Sequence, residues 1–361
     1  MSGSHDGMAV KGRGAVSNPQ GRFEPRAREA VDDGWLLGDE PVARLATTLH
    51  IDRARSVISR NDSPDLPFSQ SINPYRGCEH GCIYCYARPS HAYLDLSPGL
   101  DFETQLFYKP DAAALLDAEL RKPGYRCSMI SLGANTDPYQ PVERELKITR
   151  GLLDVLRRFR HPVGIVTKSA LVERDLDLLQ DLARDGLVNV ALSITTLDPV
   201  LKRTLEPRAA SGAARLRVLR RLSDAGIPTM VLFSPVIPFV NDAEMETVLA
   251  AARDAGARRA SYIMLRLPYE VKDLFREWLE THVPLKAAHV LSLVEQMRGG
   301  RLNDPRFGAR MKGEGEYAAI VAQRFRIAAR RLGFAGSGLP APRCDLFAVP
   351  SAAGDQLRLA L

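Results

Sequence analysis

The chain has 361 residues, 45% of them aliphatic, aromatic or cysteine, and it carries a formal net charge of +6. This length exceeds one average domain, but an α/β barrel can use as many residues around one core, which favours one large domain with appendages. No apolar run approaches membrane-spanning length and the N-terminus lacks the apolar stretch of a signal peptide, so we expect a cytoplasmic protein without a membrane partner.

The cysteines and arginines limit the kinds of chemistry and the partners that the protein can have. Five cysteines, with three of them clustered within residues 78–85, do not resemble a disulfide framework and indicate metal or redox chemistry. Of the 49 basic residues, 40 are arginines, whose planar guanidinium suits phosphate. Nucleic acid is therefore an admissible partner, although at this modest charge a general compositional bias is the favoured explanation of the arginines.

The order of predicted elements indicates an α/β fold. Residues 1–66 mix Gly, Pro, Ser and charged residues, which predicts a mostly irregular arm with room for one short helix. Short β-prone runs then alternate with helical stretches. The six predicted strands are 71–75, 127–133, 163–169, 187–194, 228–237 and 260–267. Because helices separate them, parallel pairing through crossovers is expected.

Residues typical of helix starts and ends support the same fold class. One helix is predicted to begin at Pro110 and Asp111 and to end before Pro123, and another ends at Gly226, a natural left-handed cap. After the sixth strand, 283–300 and 315–333 have the periodicity of amphipathic helices, and the last stretch is predicted to be coil.

We therefore predict a partial (βα)6 barrel of the TIM type with an irregular N-terminal arm and extra C-terminal helices. The three predicted regions are 1–66, 67–270 and 271–361. Active sites of α/β barrels form at the carboxyl ends of the strands, where the loops converge. The three clustered cysteines directly follow the first predicted strand, so they lie where chemistry is expected.

Cys78, Cys82 and Cys85 have the spacing C-x3-C-x2-C. A loop with this spacing can place three thiolates on three corners of one iron–sulfur cube, and the missing fourth ligand leaves one iron open. An open iron can bind the amino and carboxylate groups of S-adenosylmethionine (SAM), whose cleavage gives a carbon radical. The alternative is a zinc site closed by a fourth ligand. Its candidate ligands are His80, His91, Cys127 and Cys344.

The longer string "NPYRGCEHGCIYCYARP" resembles the radical SAM superfamily and, more narrowly, its spore photoproduct lyase-like branch, over about residues 67–270. The resemblance implies a [4Fe-4S] cluster on the three cysteines and reductive cleavage of SAM to a 5′-deoxyadenosyl radical that abstracts hydrogen from a substrate. It also implies an external electron donor of the flavodoxin or ferredoxin type and admits nucleic acid as substrate. Radical modification of a protein or metabolite stays open, as does a non-catalytic zinc or iron–sulfur protein.

The resemblance also places a SAM pocket at the ends of strands two to five. Its predicted polar residues are Asn135, Thr136 and Asp137 near the methionine amino group, Lys168 and Ser193 at the carboxylate or ribose, and Glu206 and Arg208 as further ligands. The segment "SPVIPFVND" is similar to the strand that lines the adenine, and Phe239 stands where a glycine is expected.

Three residues are candidates for catalysis. Tyr84 and Tyr86 flank Cys85 and could shield the cluster or relay a radical. Spore photoproduct lyase uses a further cysteine near the end of strand two as hydrogen donor, and the matching position here holds Asn135. Cys344, in the tail, would restore a thiol if the tail entered the barrel mouth.

Four arginines lie close together on the last predicted helix. Arg326 and Arg330 share one face by i, i+4 spacing, whereas Arg324 and Arg331 share another. This division favours a solvated amphipathic helix over a stripe for nucleic acid.

Overall fold

A computed structural model describes residues 11–24, 45–334 and 341–351. The strands are β1 (Thr48–Ile51), β2 (Ile58–Arg60), β3 (Gln70–Ile72), β4 (Tyr75–Arg76), β5 (Gln105–Tyr108), β6 (Ile130–Leu132), β7 (Val163–Thr167), β8 (Val188–Ser193), β9 (Thr229–Val236) and β10 (Arg259–Met264). The helices are α1 (Asp101–Thr104), α2 (Ala112–Leu120), α3 (Glu143–Leu146), α4 (Ile148–Arg158), α5 (Leu176–Arg184), α6 (Pro199–Leu205), α7 (Gly212–Asp224), α8 (Met245–Asp254), α9 (Val271–His282), α10 (Pro284–Gln296), α11 (Ala309–Lys312) and α12 (Gly315–Arg331).

The main sheet confirms the predicted (βα)6 arrangement. Its order is β10-β9-β8-β7-β6-β3-β2. Six of these strands pair in parallel with their neighbours: β3, β6, β7, β8, β9 and β10. β2 adds to the β3 edge in the antiparallel direction. The carboxyl ends of all six parallel strands therefore face the same side, where the loops that come after them can converge.

Local sequence explains these elements. The strands are short runs rich in Val, Ile and Leu, and β6 is buried along its whole length because helices cover the sheet. α4 buries Leu152, Leu153 and Leu156 while its last turn carries two arginines, as expected for an amphipathic helix. α7 ends before Gly226, which adopts a φ of +79°.

Several elements were not predicted. β1, β5 and β4 form a separate three-stranded sheet, and β1 and β2 lie in the arm that was expected to be mostly irregular. These strands have two to four residues, too few to show periodicity in the sequence. The described parts of the arm, 11–24 and 45–66, contain no helix, and the described part of the C-terminal tail, 341–351, is coil as expected.

Across the described residues, no helix combines the length and the apolar composition that crossing a bilayer requires.

A buried ion pair fixes the loop that carries the cysteines. Arg88 and Glu103 are both fully buried, and Arg88 Nη2 lies 2.5 Å from Glu103 Oε1. The guanidinium also donates to the carbonyls of Cys82, Pro98 and Gly99 at 2.9–3.1 Å. The carboxylate accepts the amides at positions 14 and 15 of the arm, at 3.0 and 2.9 Å. One ion pair thus joins the arm, the cysteine loop and α1.

We expect Arg88→Met to destabilise the protein by about 3–5 kcal/mol, because it leaves a buried carboxylate and three buried carbonyls without their donor. The matched control is Arg276→Met, which removes an exposed pair with Asp273 (3.0 Å) and should cost about 1 kcal/mol or less. Urea unfolding of the two variants measures the difference. Equal costs would show that the buried pair does not hold the loop.

Candidate active site

The cysteine loop, residues 77–89, lies beyond the carboxyl end of β3. Gly77 and Gly81 both have positive φ, +78° and +65°, which bring the loop back on itself. A Cβ on Gly81 would lie 2.6 Å from a Glu103 carboxylate oxygen, so no larger residue fits. The turn directs Cys78 and Cys82 into the interior and leaves Cys85 partly exposed.

Burial and nearby cations act in opposite directions on the loop thiols. Burial raises the pKa of Cys82 to about 12 and the pKa of Cys78 well above its usual value. Lys168 and Arg215 act in the opposite direction on the pKa of Cys82. Burial also raises the pKa of Cys85, against the effects of Arg88 and Lys168. Since thiols must deprotonate to bind metal, these cations offset part of the cost that burial imposes on the thiolates of Cys82 and Cys85.

The three loop cysteines are the candidate ligands of a cluster. Within the described ranges, no three His, Cys, Asp or Glu side chains converge closely enough to hold one metal ion. Cys78, Cys82 and Cys85 are free cysteines on one short loop, an arrangement that can present three thiolates to a [4Fe-4S] cluster with one open iron.

The histidines proposed as fourth ligands of a zinc site are each held by a contact of the ring. His80 Nδ1 lies 3.3 Å from Asp137 Oδ2. His91 packs edge-on against Phe102, with its Nε2 2.9 Å from the Gln105 carbonyl. The Nδ1 atoms of both histidines are buried and have no hydrogen-bond partner among the described residues.

Cys344 does not reach the barrel mouth, which corrects the expectation that it supplies a thiol there. The tail docks at the amino ends of the strands, where Arg343 N donates to Gly186 O and Ala348 N donates to Phe159 O, both at 3.1 Å. Cys344 lies beside Cys127, which precedes β6. The tail is held in this position because Phe347 packs into an aromatic cluster with Tyr125, Phe159 and His161.

Tyr84 is a buried residue of the cysteine loop. Its hydroxyl donates to Glu206 and lies 3.2 Å from the Thr195 hydroxyl. Burial alone would raise the pKa of Glu206, but the charges of Arg215 and Lys168 lower it to about 2. Glu206 is thus an anion paired with Arg215, and its oxygens are engaged within the protein.

Asp137 organises the strand ends next to the loop. Its carboxylate accepts the Thr167 hydroxyl and the Lys168 amide, each at 2.7 Å. Burial would raise the pKa of Asp137, but the nearby His80 and these donors lower it to about 2. The ammonium of Lys168 remains directed toward the site, where it donates to Ser193 Oγ at 2.9 Å.

The remaining predicted pocket residues lie around the same opening. Asn135 donates its backbone amide to Asn73 Oδ1 (2.9 Å), while Thr136 donates its hydroxyl to a backbone carbonyl and is buried. Arg208 lies 3.1 Å from Glu79 and is about one-third exposed. The structure therefore brings together the loop and the ends of β6, β7 and β8.

Tyr86 differs from Tyr84 in its exposure. Its side chain is 47% exposed, its hydroxyl donates to the Ala134 carbonyl, and the Arg266 guanidinium lies 5.2 Å from its ring centroid. Phe239, after β9, has a φ of +57°, the left-handed conformation that a glycine would favour.

Sequence reasoning did not identify Arg88, Arg215 or Arg266. Arg215 lies in the first half of α7 and resembles several other helix arginines in the sequence, although it is buried against Glu206. Arg266 comes shortly after β10, and its position at a strand end was a usable signal.

Six parallel strands with a buried three-thiol loop at their carboxyl ends define an α/β enzyme scaffold suited to an iron–sulfur cluster. A family model for the radical SAM superfamily matches residues 72–252, half of the chain, and the protein belongs to this superfamily. Its members use a [4Fe-4S] cluster and an electron donor to cleave SAM reductively, so the protein is an enzyme of that class.

The chain is also similar to other proteins in sequence and in fold. An uncharacterized protein of Mycobacterium tuberculosis is 35% identical over 261 residues, which cover 69% of this chain and 77% of the relative. Spore photoproduct lyase complexed with dinucleoside spore photoproduct has a TM-score of 0.56 at 16% identity, covering 82% of this chain and 84% of that one. A variant of that lyase with bound SAM and the photoproduct also has a TM-score of 0.56 at 16% identity, covering 85% of each chain. At this identity the likeness concerns the fold.

Proposed function

We propose that Cys78, Cys82 and Cys85 hold a [4Fe-4S] cluster, and that the enzyme uses the radical obtained from SAM to abstract hydrogen from a nucleic-acid substrate. The observation that carries the proposal is the set of three clustered thiols beside Lys168 and Arg215, at the strand ends. The electron would come from a flavodoxin- or ferredoxin-type donor.

The SAM pocket is proposed to lie at the ends of β6, β7 and β8. Lys168 and Ser193 would contact the methionine carboxylate or the ribose, because the ammonium of Lys168 forms no ion pair within the described part of the chain. Asn135 and Arg208 would add polar contacts. Thr136, Asp137 and Glu206 already use their polar atoms within the protein, so we propose that they position the pocket.

When bound, the cluster and SAM supply a 5′-deoxyadenosyl radical. The side chains around the opening would control which hydrogen this radical can reach. Buried Tyr84 would shield the cluster, whereas the exposed ring of Tyr86 would face the substrate beneath Arg266. The likeness to a lyase that binds a dinucleoside photoproduct supports nucleic acid as the substrate class.

Cys82→Ala should abolish both the cluster and SAM cleavage, because two thiolates cannot hold the cube stably. Cys127→Ala is the matched control, since Cys127 lies at the opposite end of the sheet and should leave iron content unchanged. Iron analysis and visible absorbance after anaerobic purification measure the outcome. Wild-type iron content in Cys82→Ala would overturn the ligand assignment.

Lys168→Met and Ser193→Ala should keep the cluster and bind SAM about ten- to a hundredfold more weakly, because each removes a polar or charge-assisted contact. Lys272→Met, a change at an exposed position of α9, provides the control for loss of a lysine charge. Calorimetry with SAM gives the affinities. Unchanged affinity for SAM in both pocket variants would show that the SAM pocket lies elsewhere.

The reduced protein should cleave SAM slowly and should not efficiently repair a dinucleoside spore photoproduct, because Asn135 stands where the lyase has its donor thiol. Asn135→Cys should increase repair, and Cys344→Ala should change neither reaction, because Cys344 lies at the far end of the sheet. Chromatography of 5′-deoxyadenosine and of repaired dinucleotide distinguishes these results. Efficient repair by the unmodified protein and by Cys344→Ala would assign the donor role to another group, with Tyr86 the first candidate.

A further inference from the structure

A concave groove lies between the edge strand β10 and the helix α12. It encloses a cavity of about 430 Å³, a size typical of small-ligand sites. Its charged and aromatic lining includes Arg259, Tyr262, Lys312, Phe325, Arg326 and Arg330. Arg259 is the first residue of β10, whereas the cysteine loop lies beyond the carboxyl ends of the strands, so this groove is separate from the proposed active site.

The charge of the groove is not neutralised. Its lining includes three arginines and one lysine but no acidic residue. None of the four cations belongs to an ion pair with a residue that the structure describes. Arg324 on the same helix shows the contrast, because it lies 2.7 Å from Glu246 and 3.8 Å from Asp242. The arginines of α12 that line the groove therefore lack the carboxylate partners that Arg324 has.

Lys312 is the most constrained of these cations. Its ammonium donates to the Tyr262 carbonyl at 2.7 Å and lies 3.5 Å from the centroid of the Tyr262 ring. Burial lowers its pKa to about 8. A desolvated cation without an anionic partner raises the free energy of the empty groove, and an anion bound there would relieve that cost.

We propose that this groove binds the phosphate groups of a phosphorylated ligand, either a nucleotide or a nucleic-acid strand. Arg326 and Arg330 project from successive turns of α12, so their planar guanidinium groups can donate hydrogen bonds to neighbouring phosphate oxygens. Phe325, which is partly exposed, provides an apolar surface in the lining on which a base can stack. This binding does not depend on the reaction proposed for the cysteine loop.

The test uses the cluster-loaded protein with SAM in excess, which keeps the adenine pocket filled. The probes are inorganic tripolyphosphate, ADP and a fluorescent 12-nucleotide single-stranded DNA. Arg326→Gln/Arg330→Gln should weaken binding of the recognised probe by about tenfold or more. Added KCl should weaken it further, because phosphate contacts release counterions.

Arg53→Gln/Arg217→Gln is the charge-matched control, since both residues are exposed and lie outside the groove. It should stay within about twofold of the unmodified protein, because it removes the same net charge without a groove contact. Melting temperatures of both double variants show whether each remains folded, and Lys312→Met provides a second variant within the groove.

The pattern of binding among the three probes identifies the ligand. If ADP and tripolyphosphate bind and the groove variants lose this binding, the site takes small phosphorylated ligands. If DNA binds more tightly than ADP and tripolyphosphate, the site takes a nucleic-acid strand. Absence of binding by all three probes would overturn the proposal. Equal losses in the groove variant and in the charge-matched control would also overturn it, because the effect would then come from net charge alone.

Discussion

The ion pair between Arg88 and Glu103 is the interaction on which the rest of the site depends. The cysteine loop has little regular structure of its own, so its carbonyls need partners from elsewhere in the chain. Arg88 donates to the Cys82 carbonyl within the loop and to the Pro98 and Gly99 carbonyls that follow it, while Glu103 neutralises the guanidinium. Three thiols can be held in a fixed arrangement because the backbone that carries them is fixed in this way.

A second buried ion pair, between Arg215 and Glu206, stabilises the other side of the loop. Arg215 reaches from α7 to Glu206, and Glu206 accepts the hydroxyl of Tyr84, the residue before Cys85. Arg215 also donates to the Ser193 carbonyl at 2.7 Å, so the end of β8 is held by the same guanidinium. The acidic residues near the site are thereby engaged by internal partners. The groups that remain directed into the opening are mainly cationic or neutral, as an anionic cluster and a carboxylate-bearing ligand would require.

The six parallel strands could be predicted from the sequence because each lies in a run of β-prone residues bounded by turn residues, whereas β1, β2, β4 and β5 were too short to show a pattern. The chemistry of the loop could be predicted because three cysteines lie within eight positions. Arg88 and Glu103 were missed because burial of ions leaves no local pattern, and one arginine does not stand out in such an arginine-rich chain. The location of Cys344 was wrong for a different reason. A coil gives no indication of where it docks, and the position was decided by packing of Phe347 against Tyr125, Phe159 and His161.

The relocation of Cys344 changes the chemistry available at the barrel mouth. With Asn135 at the end of β6 and both tail-side thiols at the opposite end, the described cysteines near the opening are those of the loop itself. Ligation would leave none of these three as a hydrogen donor. Tyr86 is an exposed residue of the loop with a removable hydrogen, and Arg266 over its ring disfavours a positive charge there. If the phenolic proton of Tyr86 leaves together with the electron, the side chain loses a neutral hydrogen atom and its ring stays uncharged. The Ala134 carbonyl, which accepts the Tyr86 hydroxyl, is not basic enough to keep that proton. If Tyr86 is the hydrogen donor, as proposed for the case in which repair is efficient, the substrate radical would have to approach its oxygen directly and displace this hydrogen bond.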